Sequence, residues 1–182
     1  MLFNRSSVKI MQFFFNKPYE SVHLRELSRK TKTSVYSTKK TIDYLINQEI
    51  LSEKRQGNQR IVKPNMENIF FKQLKLAFSI KKIQESGILD YLGKKIPAIS
   101  SIILYGSTAQ GKDSSESDID LLVIGQKIRM DISKYEKKLD KQINIIVMKW
   151  AEWRIHAEED KAFYREIIKD GIALYGEIPV IE

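Results

Sequence analysis

The chain of 182 residues contains no cysteine and only two histidines. Without thiols it can form neither a disulfide nor a thiolate metal site, which fits an intracellular protein. His23 and His156 are isolated, with no HExxH or related spacing, so neither is assigned a metal. No apolar run approaches the ~20 residues needed to cross a bilayer, and the N-terminus lacks a small-residue cleavage site. We therefore expect no membrane span, no signal peptide and a cytoplasmic location.

Acidic residues are scarce in the first third of the chain. Residues 1–66 carry 13 Lys and Arg against five Asp and Glu, whereas residues 67–182 carry 18 of each sign. The formal net charge of +8 therefore lies entirely in the first third. This asymmetry predicts two modules with different partners, and for the basic module it favours nucleic acid.

The pattern of residues 1–66 predicts three helices followed by a hairpin. The run "SSVKIMQFFF" has an apolar helical face, and a short helix is predicted at about Leu24–Lys30. A longer helix is predicted from about Ser34 to Gln48. In the run "KTSVYSTKKTIDYLINQEIL" the 3–4 spacing of a buried stripe is followed by Val35, Ile42, Leu45, Ile46 and Glu49/Ile50. The run "ILSEKRQGNQRIVKP" then predicts two strands joined by a Gly57-Asn58 turn.

These predicted elements together resemble a winged helix-turn-helix domain. The resemblance implies that the helix from about Ser34 to Gln48 enters the major groove of duplex DNA, with the hairpin as the wing. Outward hydroxyls and cations would contact phosphate, and some would reach base edges. The DNA-binding residues would be Ser34, Tyr36, Ser37, Lys39 and Lys40 on the helix, and Lys54, Arg55 and Arg60 on the wing. The alternative is a small basic domain that docks on the other half of the chain or on a partner protein.

Residues 67–96 are predicted to form a helical connector. The stretch "MENIFFKQLKLAFSIKKIQESGILDYLGKK" has the apolar spacing of a long amphipathic helix. Gly87 interrupts that helix, and a further helix is expected at about Ile88–Lys94. The segment either joins the two modules rigidly or forms a dimer interface, which makes a homodimer one of the assemblies to consider.

Two carboxylates stand one residue apart in "LYGSTAQGKDSSESDIDLLVIG". The preceding run "AISSIILYGS" predicts a buried strand. It ends at Gly106, where the backbone can turn tightly beside a ligand, and Ser107 adds a hydroxyl at the start of a phosphate cradle. Asp118 and Asp120 open the next strand and face the same side, roughly 6–7 Å apart. Convergent carboxylates beside a phosphate cradle suit Mg²⁺ with a nucleoside triphosphate.

The string of Gly106-Ser107, ten residues and Asp118-Ile-Asp120 resembles minimal nucleotidyltransferases of the DNA polymerase β superfamily, over about residues 97–150. The resemblance implies Mg²⁺-dependent transfer of a nucleoside monophosphate from a nucleoside triphosphate, with ATP favoured, to an acceptor hydroxyl. Gly106 and Ser107 would bind the nucleotide, and Asp118 and Asp120 would be catalytic and bind the metal. Minimal members often serve as antitoxins that modify a helical partner toxin, so a partner protein is a candidate acceptor. Some members also carry a DNA-binding domain.

The sequence departs from the family pattern at two positions. The family often has Arg before the second glycine of the turn, where this chain has Gln110. A third carboxylate usually lies on a later strand, which here is "INIIVM", and the matching position holds Asn144. An amide cannot act as a general base near neutral pH. The alternative function is therefore a DNA-binding transcriptional regulator whose second half binds nucleotide or dimerises without catalysis.

The last part of the chain, "WAEWRIHAEEDKAFYREIIKDGIALYG", predicts helices that cover the sheet. Its aromatic residues are expected in the core, at Trp150, Trp153, Phe163 and Tyr164. The predicted fold class is α/β, or α+β in some schemes. It comprises a winged helix-turn-helix at 1–66, the connector at 67–96 and a polymerase-β-like mixed sheet with flanking helices at 97–182.

Overall fold

The computed structural model describes residues 4–57 and 59–181, so Asn58 of the predicted hairpin turn lies outside the described residues. The chain divides into two compact units, Met1–Lys75 and Leu76–Glu182, which we call unit 1 and unit 2. In the part of the chain that the structure describes, no helix is long and apolar enough to span a membrane.

Unit 1 is built from three helices and a small antiparallel sheet. Its elements are α1 Arg5–Asn16, β1 Val22–His23, α2 Leu24–Thr31, α3 Val35–Asn47, β2 Leu51–Gln56 and β3 Gln59–Pro64. The strand order is β1-β3-β2. The apolar stripe of α3 is buried at Ile42 and Leu45, but Val35 is 49% exposed, so its predicted burial was wrong. Thr38 and Thr41 are buried in the first turns of α3 instead.

The turn between α2 and α3 is held by a chain of hydroxyl groups. The hydroxyls of Thr31 and Thr33 lie 2.8 Å apart, and those of Thr33 and Thr38 lie 2.7 Å apart. Ser28 donates to the carbonyl of Thr33 at 2.7 Å. Because these groups are partly or fully buried and satisfy one another, they fix the direction in which α3 leaves α2.

Unit 2 contains a four-stranded mixed sheet. Its elements after α4 Ile69–Ser86, which begins within unit 1, are α5 Ile88–Lys95, β4 Ser101–Tyr105, α6 Gly106–Ala109, β5 Ile119–Ile124, α7 Ser133–Leu139, β6 Ile143–Met148, α8 Trp150–Glu159, α9 Lys161–Asp170 and β7 Ile172–Tyr175. The strand order is β6-β5-β4-β7, with β5 and β6 parallel and the other pairs antiparallel. The prediction of a mixed sheet with flanking helices is confirmed.

Each face of this sheet is covered by its own apolar layer. On one face, Leu104, Leu121 and Val123 pack with residues of α4, α5 and α7. On the other face, Leu122 and Ile124 pack with residues of α8 and α9. Alternate strand residues face opposite sides, so the two carboxylates that precede Leu122 at even spacing lie on the side of α8 and α9.

The end of the chain differs from its prediction. Helices α8 and α9 form, but the run "IALY" forms β7, an edge strand antiparallel to β4. Trp153 is fully buried, and its Nε1 donates to the carbonyl of Pro179 at 2.7 Å. Trp150 is 47% exposed, so its predicted place in the core was wrong.

Candidate functional site

The site begins at the turn between β4 and α6. Gly106 has φ +70°, a conformation that side chains disfavour. A Cβ at this position would lie 2.5 Å from Oδ2 of Asp120. The backbone of the turn therefore approaches the carboxylate as closely as a glycine allows. Ser107 follows in α6 and is half-buried, while Thr108 ties the turn to β5 by donating to the carbonyl of Asp118 at 3.3 Å.

The two strand carboxylates converge on one amide. Nδ2 of Asn144 lies 3.1 Å from Oδ2 of Asp118 and 3.1 Å from Oδ1 of Asp120. The register explains the arrangement, because Asp120 is the β5 neighbour of Asn144 in the parallel pair. The predictions that Asp118 and Asp120 face one space and that Asn144 points into it are thus confirmed as geometry. The NH₂ group of the Asn144 amide, and not its carbonyl oxygen, must face the two carboxylates, because ionised carboxylates can only accept hydrogen bonds.

Tyr105, the last residue of β4, lies opposite Asp120 in the antiparallel pair. Its ring packs against Phe163 at a centroid distance of 5.3 Å. Burial raises the pKa of the Tyr105 phenol to about 12, and the charges of Asp120 and Glu166 act in the same direction. The phenol therefore stays neutral beside the carboxylates.

The loop between α6 and β5 is anchored by an ion pair that the sequence pattern did not reveal. Asp113 is 4% exposed. Nζ of Lys141 lies 2.8 Å from its Oδ2 and 2.7 Å from the carbonyl of Ser114. A carboxylate this deeply buried needs such a partner. Since Lys141 is distant in sequence from Asp113 and lies two residues before β6, no local signal could have found the pair.

Gln110, which stands where the family often has Arg, makes polar contacts on both sides of its amide. Its Nε2 lies 3.3 Å from Oδ2 of Asp170 on α9. Its Oε1 accepts from Nζ of Lys112 at 2.9 Å. The side chain therefore bridges the loop and α9.

The residues predicted to bind DNA lie on α3 and on the hairpin. Ser34 caps α3 by accepting from the N–H of Ser37 at 3.1 Å, and the Ser37 hydroxyl lies 2.7 Å from that of Ser6. Tyr36 is 77% exposed. Four of the cations that were predicted to bind DNA are exposed, namely Lys39, Lys40, Lys54 and Arg55.

Arg60 differs from these cations because it is already paired. Its Nη2 lies 2.6 Å from Oδ1 of Asp43 on α3, and its Nε donates to Glu53 on β2. The side chain is 19% exposed. Its guanidinium is therefore largely engaged within unit 1.

A Gly-Ser turn that faces paired strand carboxylates on a mixed sheet defines a nucleotidyltransferase-like domain. The chain belongs to the family described as Polymerase beta, Nucleotidyltransferase, whose match covers residues 86–178. The match starts at the end of α4 and runs past β7, so it is wider than the predicted span of about 97–150. No curated protein matches the chain.

Comparison with solved structures finds similarity over about half of the chain. The chain is similar to a toxin–antitoxin with AMP-PNP at 23% identity and a TM-score of 0.38, covering 51% of this chain and 73% of that chain. It is similar to two mutants of the toxin–antitoxin MntA-HpeT. One has 21% identity and a TM-score of 0.38, covering 51% of this chain and 73% of that chain. The other has 24% identity and a TM-score of 0.37, covering 51% and 72%.

Proposed function

We propose that the protein is a Mg²⁺-dependent nucleotidyltransferase that moves a nucleoside monophosphate from a nucleoside triphosphate to an acceptor hydroxyl. The observation that carries this proposal is the convergence of Asp118 and Asp120 beside the Gly106 turn. Two carboxylates facing one space are costly unless a positive group joins them, and the Asn144 amide supplies only partial charge. Family membership of residues 86–178 supports the same chemistry.

The donor set suits Mg²⁺, which takes one or two carboxylates together with substrate phosphate oxygens and water. Asp118 and Asp120, which converge on one space, would be the protein ligands. Among residues 4–57 and 59–181 no third His, Cys, Asp or Glu joins them in a metal-binding group. When bound, the ion would neutralise charge on the triphosphate. Gly106 lets the main chain of the turn pass close to Asp120, and the Ser107 hydroxyl would donate to a phosphate oxygen.

Asn144 favours a second candidate function. Its amide cannot remove a proton from an acceptor hydroxyl, and assistance by a general base is worth about 10²–10⁴-fold in rate. A DNA-binding transcriptional regulator whose second half binds nucleotide or dimerises without turnover would need no such base. A regulator that binds nucleotide would differ from the transferase only in product formation, whereas one that merely dimerises would also lack nucleotide binding.

Nucleotide binding is tested by calorimetry with Mg²⁺ and ATP on the wild type and on Asp118→Asn/Asp120→Asn. We expect the double variant to lose Mg²⁺-dependent binding while it keeps its fold. Glu158→Gln/Glu159→Gln removes two exposed charges from the end of α8 and is the matched control. Unchanged affinity in the Asp118/Asp120 variant would remove the basis of the assignment. Labelled nucleotides incubated with candidate acceptor proteins then separate transferase from regulator.

We also propose that residues 1–66 are a winged helix-turn-helix domain that binds duplex DNA. Helix α3 would enter the major groove with Ser34, Tyr36, Ser37, Lys39 and Lys40, and the wing would contribute Lys54 and Arg55. The unpaired exposed cations support this role, whereas Arg60 would mainly orient the hairpin. Residues 67–96 would connect this domain to the nucleotidyltransferase domain at 97–182. An antitoxin-like role, with a partner protein as acceptor, follows from the family resemblance alone.

A further inference from the structure

Ion pairing divides the cations of unit 1 into two groups. Four of the five acidic residues in 1–66 are engaged with three cations. The paired cations are Lys17, Lys30 and Arg60. Arg25, Arg29 and Lys39 are exposed, and no carboxylate within residues 4–57 and 59–181 pairs with them. They share the excess positive charge of residues 1–66 with other exposed cations such as Lys40 and Arg55.

These three cations line a single cleft of about 740 Å³. Arg25 and Arg29 come from α2 and Lys39 from α3, while Gln59 and the paired Arg60 complete the wall from β3. Two arginines at i and i+4 lie on the same helix face and repel each other. An unfavourable pair of like charges that the fold does not require is typical of a binding site.

The chemistry of the wall restricts the ligand. A guanidinium fork matches phosphate oxygens in bidentate geometry, and the Gln59 amide can add a further donor. Glu26 also lines the cleft, but Lys30 lies 2.9 Å from it and neutralises it. Among the described lining residues there is no Phe, Tyr or Trp, and His23 is the one aromatic ring on which a base could stack, against several cations. The cleft therefore suits a phosphate group better than a nucleobase.

We propose that this cleft anchors the phosphodiester backbone of the DNA that unit 1 binds, with Arg25 and Arg29 as phosphate ligands. The inference rests on the proposed DNA binding and adds to it a contact that carries no sequence information. Because each neutralised phosphate releases counterions, the contact contributes to the salt dependence of binding and leaves base preference unchanged.

The test measures binding of the full chain to labelled duplexes of several sequences across a salt series. We expect Arg25→Gln/Arg29→Gln to weaken binding to all duplexes equally and to reduce the slope of log K against log salt by about 2. Arg25→Lys/Arg29→Lys should keep most of the slope and lose affinity, because the bidentate geometry is lost. Lys94→Gln/Lys95→Gln removes two exposed charges from α5 and should leave both quantities unchanged.

Two results would overturn the proposal while DNA binding itself stands. One is an unchanged slope of log K against log salt in Arg25→Gln/Arg29→Gln, in an assay where Lys40→Gln does weaken DNA binding. The other is an equal loss in the Lys94/Lys95 control, which would indicate a long-range charge effect only. If the wild type binds no duplex, the DNA-binding proposal fails. Stabilisation of wild type but not Arg25→Gln/Arg29→Gln by inorganic phosphate would then identify free phosphate as the ligand and overturn the backbone assignment.

Discussion

At the scale of single residues, Asn144 determines how the negative charges of the two site carboxylates are compensated. Its amide donates to both Asp118 and Asp120. We expect Asn144→Asp to lower stability without Mg²⁺ by about 1–3 kcal/mol, because two hydrogen bonds to charged groups are lost and a third negative charge is added. Mg²⁺ should restore much of that stability. Thermal unfolding with Mg²⁺ and with a chelator measures both effects.

Transferase activity of the same variant addresses the missing base. Asn144→Asp should form product faster than the wild type, and Asn144→Ala, which removes the hydrogen bonds without adding charge, should not. Rapid turnover in the wild type that falls in Asn144→Asp would mean that the catalytic arrangement is complete without a third acid.

Gly106 supports a prediction with an internal control. Gly106→Ala would place a Cβ in a left-handed conformation 2.5 Å from Asp120 Oδ2, so we expect lower stability and loss of nucleotide binding. Gly93 lies within α5, and a Cβ added there would meet no atom within 4 Å, so Gly93→Ala should raise stability by about 0.5–1 kcal/mol. Denaturant unfolding that shows equal effects for the two variants would contradict this account of the turn.

Tyr105 gives the site a dependence on alkaline pH. The pKa of its phenol is raised from 10.0 to about 12 in the folded protein, chiefly by burial. The folded state therefore holds this proton more tightly than the unfolded state, so the stabilisation is present below pH 10 and is lost as the pH rises toward 12. Tyr105→Phe should flatten the decline of stability over that interval. An equally steep decline in the variant would show that Tyr105 is not its source.

At this scale the sequence predicted arrangements set by neighbouring residues and did not predict contacts between residues distant in sequence. The period of a strand sufficed to place Asp118 and Asp120 on one side, and the same period placed Asn144 once its strand was paired correctly. The pairing of Arg60 with Asp43 could not be predicted, because it joins different elements. The buried contact of Lys141 with Asp113 depends in the same way on the folded chain.

At the scale of elements, helices were predictable because their apolar spacing repeats over several turns. Helices α2, α3 and α5 lie within a residue or two of their predicted positions, and α4 ends just before Gly87, where an interruption was predicted. The strand β7 was missed because four residues carry too little periodicity, and its pairing with the distant β4 decides its structure. Val35 was misplaced because the first turn of α3 buries Thr38 instead.

Arg60 links two elements of unit 1 and supports a prediction at this scale. Arg60→Gln should lower stability by about 1 kcal/mol, because it leaves Asp43 on α3 and Glu53 on β2 without their partner. Lys54→Gln/Arg55→Gln removes exposed charge from β2 and should weaken DNA binding with little change in stability. Thermal unfolding and a DNA titration on both variants separate the roles. A larger loss of stability in Lys54→Gln/Arg55→Gln would refute the distinction.

At the scale of the whole molecule, the sequence shows the distribution of charge directly. It does not give the residue at which the two compact units divide. The excess of cations ends near residue 66, whereas the compact units divide at Lys75 and Leu76, inside α4. Phe71 of this helix belongs to the core of unit 1, and Ile83 to the core of unit 2. An amphipathic pattern predicts the helix but does not say which core receives each of its turns.

The placement of the two tryptophans makes the chain its own optical probe. Both lie in unit 2, and the sequence of unit 1 contains none, so selectively excited tryptophan emission comes from unit 2 alone. Trp153 is enclosed and hydrogen-bonded to Pro179, while Trp150 is half open to solvent. A soluble quencher will therefore remove the emission of Trp150 first and leave a blue-shifted remainder from Trp153. Trp153 packs beside Tyr164 of α9 and is hydrogen-bonded to Pro179. A red shift of its emission maximum would therefore report loosening of that segment, and events confined to unit 1 would leave the maximum unchanged.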